Sequence, residues 1–447
     1  MTCKKKIFVV VPNNVIAFIF LESNALISLQ EEFEVSLIFA PDDFGFKKLN
    51  IKKKHYDNSF ILKPSNIFRY SNSLFGNFFW YVSLYAYLRI IKVPFNTSFK
   101  VLRQTIFMRI AYKVLSFPPL YSFFKWVDEN IIFKKDKLIY KTLKSLKPDL
   151  IIYPGSALDT YSHIVARTAQ TLGIPTLMIV VHWDFFSKKS LLRFSPNKVY
   201  LWGRDMRRMA LKNKDLNSDI FKELGVPQFD RYREHYSFSK NTFRKSFGIP
   251  FKSKIILFAG TSVAYDEVAI LERLNLTIKK FNIKNVIIIY RPHPRGWNRK
   301  SRSTIRPSRM EFVKIDSYKK LVQTSSDHYF HLLNNIDGII SPFSTMVLEA
   351  ALCGKPCMCI SFSDQLNKFD FAQTNDAEHL LTVRNSFWAT ICDKSEDLES
   401  LFLGFISSLD LVKSTKIKAA VKEIVYYDKT PYSERLLKRI NKDFFDC

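Results

Sequence analysis

Three predicted loops of this chain carry side chains suited to binding phosphate. One lies in ISPFSTMVLEAALCGKP, which predicts a strand ending near Ser341 and a helix beginning at Ser344 or Thr345. The N–H groups at such a helix start, two hydroxyls and the positive end of the helix dipole suit a phosphate or diphosphate. Glu349, one turn further on, is placed to accept hydrogen bonds from ribose hydroxyls. The alternative interpretation is an ordinary capped helix with a surface glutamate.

The second loop, RPHPRG, follows an apolar run at 286–289 and supplies cationic groups. Arg291, His293 and Arg295 alternate at the end of this predicted strand, where they would neutralise the charge that develops on a departing diphosphate. A third loop, in LFAGTS, offers small groups to phosphate: Gly260, Thr261 and Ser262. The signal of this third loop is weak, because such loops occur in most α/β proteins.

A different set of residues suits the acceptor side of a transfer reaction. In VVHWDFFSKK, His182 and Asp184 follow a predicted strand, and either side chain is a candidate general base for an acceptor hydroxyl. The competing interpretation is a turn in which the aspartate caps local backbone. A second acceptor-side loop is PGSALDT, which contains Asp159.

The sequence lacks the motifs of several classes of metal-dependent and nucleotide-hydrolysing enzymes. The sequence contains no DxD triplet, no GxxxxGK[ST] and no HExxH, and its six cysteines lack the paired spacing of a zinc site. We therefore expect no metal and no cofactor. Basic side chains and a helix dipole are expected to do the work of the metal at a donor phosphate.

The elements that must position these loops are alternating strands and helices. This alternating pattern occurs twice along the chain, and it predicts two Rossmann-like, doubly wound parallel sheets that face each other across a cleft. The expected domains are residues 1–235 and 236–420, with a closing helix at 421–447 that packs back on the first domain. Residues 66–127 do not show this alternation of strands and helices. They are rich in aromatic and basic residues, which is typical either of a segment lying on an anionic membrane or of a helical insertion packed on the first sheet.

Composition limits the partners. The chain has 447 residues and a formal net charge of +27, which favours anionic partners, although part of this charge can serve solubility alone. Nucleic acid is not expected, because the basic residues are dispersed and no binding module is recognised.

Pro12 interrupts the apolar start, and no apolar run reaches about 18 residues. We therefore expect a cytoplasmic protein.

The motifs resemble a known group of enzymes. RPHP followed by DGIISPFSTMVLEAALCGKP is similar to the donor domain of GT-B glycosyltransferases of bacterial surface polysaccharides, including the CDP-glycerol glycerophosphotransferase and capsule-transferase groups. HWDFFSKK and ELGVPQFDRY are similar to further stretches of these enzymes. The resemblance covers residues 147–360 and the closing helix. It implies that His293 and Arg291 neutralise the donor phosphate, that Ser344 and Thr345 bind it, and that Glu349 holds the ribose.

Two positions depart from the related sequences. Phe185 stands where they often have asparagine, which puts the role of Asp184 in doubt. Pro342 stands where a second glutamate would mark the commonest retaining subgroup, so inversion and retention at the sugar both stay open.

Together these observations predict a metal-independent glycosyltransferase at the inner face of a bacterial cell membrane. It would move a sugar from a nucleotide-activated donor to a surface-glycan or lipid-linked acceptor, as in capsule, lipopolysaccharide or teichoic-acid synthesis. One alternative is transfer of a polyol phosphate from a CDP-activated donor, and another is a nucleotide-sugar epimerase or hydrolase on the same fold. A non-catalytic, membrane-associated assembly protein is the alternative that rests on charge alone.

Overall fold

The chain folds into two units. The computed structural model describes residues 4–21, 23–41, 58–65, 82, 106, 110, 114, 117–127, 130, 135–155, 159–189, 192, 194–212, 216–233, 240–261, 266–293, 310–316, 326–363 and 377–446. Unit 1 comprises Met1–Asp230 and Glu423–Cys447, and unit 2 comprises Arg231–Lys422. The sequence analysis places the corresponding boundaries at 235 and 420.

Unit 1 is built on a parallel sheet of seven strands in the order β3-β2-β1-β4-β5-β6-β7. The strands are β1 (Lys6–Val11), β2 (Glu34–Phe39), β3 (Ser59–Ile61), β4 (Leu150–Gly155), β5 (Thr176–Val180), β6 (Lys198–Leu201) and β7 (Phe221–Glu223). β4 and β5 are buried along their whole length, which explains their continuous apolar runs. The strand order reverses between β1 and β4, and the carboxyl ends at such a switch point are where α/β sheets bind ligands.

Unit 1 also contains α-helices. In the described part of unit 1 they are α1 (Asn14–Leu21), α2 (Asn24–Glu32), α3 (Pro118–Val127), α4 (Lys137–Leu146), α5 (Thr160–Gln170) and α6 (Arg204–Ala210). π-helical turns lie at Phe185–Lys189 and Asn441–Phe445, and 3-10 turns lie at Ser218–Ile220 and Pro227–Arg233. Most of the predicted insertion at 66–127 lies outside the described residues, and α3 is its described helix.

Unit 2 repeats the plan with a parallel sheet of six strands, in the order β10-β9-β8-β11-β12-β13. The strands are β8 (Lys254–Ala259), β9 (Val286–Arg291), β10 (Val313–Ile315), β11 (Gly338–Pro342), β12 (Cys357–Ile360) and β13 (Ala389–Cys392). Its helices in the described residues are α7 (Lys240–Phe247), α8 (Glu267–Lys280), α9 (Ser326–Asn335), α10 (Thr345–Leu352), α11 (Glu378–Arg384), α12 (Leu398–Ser408) and α13 (Ser414–Ala420), followed by a 3-10 turn at Val421–Glu423. The prediction of two doubly wound parallel sheets is confirmed.

The core of unit 2 lies between this sheet and the helices α8 and α12. Leu271 and Leu274 of α8 and Phe402 and Phe405 of α12 are buried in one cluster with side chains of β8, β9 and β11. The order of the strands reverses between β8 and β11, so the switch point of unit 2 lies at the loops that follow these two strands. They are the third and the first of the predicted phosphate-binding loops.

The last helix, α14 (Tyr432–Ile440), belongs to unit 1. Asp230 Oδ2 accepts the Tyr432 N–H at 2.6 Å and so satisfies a donor at the start of α14. Further on, the Tyr200 hydroxyl donates to Asp443 at 3.0 Å. Arg435 Nη2 donates to the Leu224 carbonyl at 3.0 Å. These bonds tie the C-terminal segment to the β6 and β7 side of the sheet.

Among the helices that the structure describes, none is long and apolar enough to cross a membrane.

Candidate functional site

The donor-side residues of unit 2 lie on loops at the carboxyl ends of β8, β9 and β11. β8 pairs with both β9 and β11, so these three strand ends are neighbours along one edge of the sheet. Arg291 is the last residue of β9, and Gly260 follows β8. The structure thus brings together the described members of the three loops. Ser262 and Arg295 lie outside the described residues.

Gly260 is the point at which the loops after β8 and β9 touch. Its N–H donates to the Arg291 carbonyl at 2.8 Å. A Cβ at this position would lie 2.6 Å from Glu267 Oε2 and 2.9 Å from the His293 backbone nitrogen. A side chain here would therefore displace a backbone atom and a buried carboxylate. Glycine is required because of this close approach, since no positive φ is involved.

A buried carboxylate, which the sequence analysis missed, holds the loop after β8. Glu267 is only 1% exposed, and its Oε1 accepts the Thr261 N–H at 2.9 Å. Its Oε2 accepts the Tyr290 hydroxyl at 2.6 Å. A buried carboxylate is retained only where such hydrogen bonds compensate its lost hydration. Thr261 is thus fixed through its backbone by the first residue of α8.

Arg291 forms a buried ion pair. Its Nη1 donates to Asp316 Oδ2 at 2.6 Å, and the two side chains are 4% and 0% exposed. The Asp316 N–H donates in turn to the Tyr290 carbonyl at 2.9 Å, which sets the aspartate beside the end of β9. The guanidinium therefore stabilises the strand end from within the unit. Its predicted contact with a donor phosphate stays a prediction.

His293 lies two residues beyond β9 and is half-buried. Its backbone nitrogen packs against Gly260, so the position of the imidazole depends on the loop after β8. Proline on each side in the sequence restricts this segment further. The role of His293 at a donor phosphate stays a prediction.

The helix start at Ser344 forms as expected, with one difference. Ser344 is the N-cap residue of α10, but its side chain makes no capping hydrogen bond. Instead, the hydroxyls of Ser341 and Ser344 lie 3.1 Å apart. The first N–H groups of α10 are thus not capped by Ser344, which suits the predicted anion site. Gly354 then ends the helix with a φ of +74°, as predicted.

Glu349 lies one turn into α10 and is half-buried. The Tyr232 hydroxyl donates to its Oε2, and the Thr345 side chain also hydrogen-bonds to the carboxyl group. Burial raises the pKa of Glu349, while the hydrogen bond from Tyr232 and the charges of Arg231 and Arg291 act in the opposite direction. The sequence predicts a carboxylate free to accept hydrogen bonds from ribose hydroxyls. The structure shows that one oxygen already accepts from a tyrosine.

The candidate acceptor-side residues of unit 1 follow β5. His182 and Asp184 are half-buried, whereas Trp183 and Phe185 between and after them are buried. The Phe185 N–H donates to the His182 carbonyl at 3.2 Å and leads into the π-helical turn at Phe185–Lys189. Anchoring of the intervening aromatic residues thus gives His182 and Asp184 fixed positions at the edge of the sheet. Their role as general base stays a prediction.

Asp159 occupies the carboxyl side of β4, at the switch point of the first sheet. It is the N-cap residue of α5, and its Oδ1 accepts the Ser162 N–H at 3.1 Å. It is only 7% exposed. Burial raises its pKa to about 6, although hydrogen bonds from Ser162 and Tyr161 oppose this shift. Asp159 therefore carries a proton at a higher pH than an exposed aspartate.

Replacement of Asp159 by asparagine is expected to change how stability depends on pH. Because its folded-state pKa is about 6 and its ordinary value is 3.8, the folded state holds an extra proton between these values. Wild-type stability should therefore fall as the pH rises through this window, by up to about 3 kcal/mol. Asparagine keeps the cap but does not ionise. The Tm of Asp159→Asn relative to wild type should rise between pH 4 and pH 7, and a constant difference would contradict the expectation.

Among the described residues, no three His, Cys, Asp or Glu side chains converge in a way that would hold a metal ion. The expectation of a donor site without metal stays a prediction.

Comparison with known proteins identifies the family. Residues 197–442 match the family model described as CDP-glycerol:poly(glycerophosphate) glycerophosphotransferase, and this segment is more than half of the chain. The chain belongs to this glycerophosphotransferase family. No curated protein matches the sequence.

Solved structures support the fold of this family member. The UDP-GlcNAc 2-epimerase of Neisseria meningitidis, bound to UDP-GlcNAc, is 13% identical with a TM-score of 0.54, covering 98% of this chain and 100% of its own. A glycosyltransferase of Rickettsia africae ESF-5 is 12% identical with a TM-score of 0.54, covering 99% and 100%. The MnaA–UDP structure of S. aureus is 12% identical with a TM-score of 0.52, covering 98% and 96%. The likeness confirms the predicted GT-B fold.

The extent of the glycerophosphotransferase match bears on the site. The matched segment contains the three donor-side loops and Tyr232, but it begins after His182 and Asp184. Family membership supports a transferase of the nucleotide-activated-donor type. The identity of the transferred group is a separate question.

Proposed function

We propose that this glycerophosphotransferase-family protein is a glycosyltransferase that moves a sugar from a nucleotide-activated donor to a hydroxyl group of a surface-glycan or lipid-linked acceptor. The observation that supports this most directly is the grouping within unit 2 of an uncapped helix start, a histidine loop and a carboxylate. These are Ser344, His293 and Glu349. The helix start suits the phosphate groups of a nucleoside diphosphate, and the carboxylate suits its ribose. The histidine suits the negative charge that develops on the diphosphate as it leaves.

The proposed chemistry has two parts, neutralisation of charge on the leaving group and removal of a proton from the acceptor. An acceptor hydroxyl attacks the anomeric carbon, the bond from that carbon to the diphosphate oxygen breaks, and the nucleoside diphosphate leaves with both electrons. His293 and the start of α10 stabilise the negative charge that develops on the leaving group. His182 or Asp184 accepts the proton of the acceptor hydroxyl. We place the enzyme at the inner face of the cell membrane, on the grounds of its basic charge.

A second candidate is transfer of glycerol phosphate from CDP-glycerol, which the description of the family favours. In that reaction the acceptor attacks the phosphorus next to glycerol, and CMP leaves. The two reactions therefore differ in the released nucleotide: a diphosphate after sugar transfer, and CMP after glycerophosphate transfer.

The test is a thermal-shift screen of the purified chain with UDP, GDP, CDP, CMP and dTDP, with and without EDTA, because a ligand that binds the folded state raises Tm. We expect one base to give a shift that persists in EDTA and is lost in Glu349→Ala. Incubation with the matching activated donors and an acceptor extract then identifies the released nucleotide. A folded sample that shifts with none of these nucleotides would contradict the proposal.

A further inference from the structure

Tyr232 and Glu349 form a pair that the proposed reaction does not by itself require. They are 117 residues apart in the sequence, yet the Tyr232 hydroxyl donates to Glu349 Oε2. Both residues are half-buried and belong to unit 2. Such a hydrogen bond to a carboxylate is stronger than one between neutral groups, and it fixes the direction of the carboxylate plane.

Burial and nearby charges act on the pKa of both members of this pair. Burial raises the pKa of Tyr232 well above its usual range, and the negative charge of Glu349 adds to this effect. The tyrosine hydroxyl therefore stays protonated, and able to donate, at neutral pH. Burial raises the pKa of Glu349, and the hydrogen bond from Tyr232 and the charges of Arg231 and Arg291 act against this rise. The carboxylate receives a hydrogen bond from Tyr232 on Oε2 and another from the Thr345 side chain. Because an ionised carboxylate offers about four acceptor sites on its two oxygens, it can still accept a further hydrogen bond.

We propose that Tyr232 is a positioning residue for the donor, which holds Glu349 so that Oε1 accepts a ribose hydroxyl and thereby selects ribonucleotides over deoxyribonucleotides. This inference rests on the proposed assignment of Glu349 to the ribose. Without the tyrosine, the carboxylate would lose a fixed partner and rotate toward Thr345 or Arg231. Selection for a ribose hydroxyl depends on a buried acceptor that is left unpaired when the hydroxyl is missing.

The decisive measurement is calorimetric affinity for UDP and CDP, each compared with its 2′-deoxy and 3′-deoxy forms. For whichever base binds, wild type should lose about tenfold or more in affinity with at least one deoxy form. Tyr232→Phe should weaken the ribonucleotide about fivefold and reduce the deoxy penalty to less than about threefold. In a Glu349→Gln background, Tyr232→Phe should have no further effect, because the two residues act as one unit.

A matched control separates positioning from folding. Tyr200 donates to the carboxylate of Asp443 in unit 1, so Tyr200→Phe removes the same kind of bond away from the donor loops. It should leave both affinities unchanged. Equal weakening of ribo and deoxy forms by Tyr232→Phe, or no weakening at all, would overturn the inference while leaving the proposed function intact. Failure of wild type to bind any of the five nucleotides of the thermal-shift screen would instead contradict the proposed function.

Discussion

Replacement of His293 by alanine is expected to lower the rate of transfer by about a hundredfold or more and to leave the fold unchanged. His293 is half-buried at the carboxyl end of β9 and is not one of the fully buried core residues of unit 2. Loss of the imidazole should therefore remove stabilisation of the leaving group without opening the core. The measurement is the steady-state rate with the donor identified in the nucleotide screen, together with Tm.

The control for His293 is His331→Ala. His331 is also half-buried in unit 2 but lies on α9. Its replacement should change the rate by less than about threefold. If His293→Ala itself retains activity within about threefold, which is less than about 0.7 kcal/mol, the assigned role is wrong.

Replacement of Asp316 by alanine is expected to destabilise unit 2 by about 3 to 5 kcal/mol, which lowers its Tm by about 6 to 20 °C. The reason is that Arg291 is only 4% exposed and cannot move its charge into water. Removal of one member of a buried ion pair leaves the other charge at full desolvation cost. Scanning calorimetry measures the effect directly.

The double variant Arg291→Met with Asp316→Leu separates stability from binding. Replacing both charges by apolar groups of similar size should restore most of the lost stability. If Arg291 also binds the donor phosphate, as the sequence predicts, the double variant should remain folded but bind nucleotide more weakly. A single variant Asp316→Ala that melts within about 1 °C of wild type would contradict the structural role of the pair.

Much of the fold is predictable from local pattern because the long strands are covered on both faces. The apolar runs of β1 and β9 predict strands, and both form at nearly the expected bounds. The three-residue strands β3 and β10 were missed. Ser59–Ile61 and Val313–Ile315 are too short to show a period, and they are strands because β2 and β9 pair with them.

The candidate site was predictable only in part, for a related reason. Loops that follow strands must meet at one sheet edge, so the sequence identified the loops that contain Gly260, His293 and Ser344. The partners that fix these loops come from distant positions. Tyr232 is 117 residues from Glu349, and Asp316 is 25 residues from Arg291. No local pattern encodes such contacts, although Tyr232 is the last residue of the ELGVPQFDRY stretch that carried part of the resemblance.

The chain enters unit 2 at Arg231 and leaves it at Lys422, so unit 2 is continuous in sequence and unit 1 is not. During synthesis on the ribosome, unit 2 can therefore fold while unit 1 still lacks α14. At that stage the C-terminal segment has not yet been made, so it cannot form its hydrogen bonds to Asp230, Leu224 and Tyr200. Completion of unit 1 thus requires a segment, α14, that the ribosome synthesises only after the whole of unit 2.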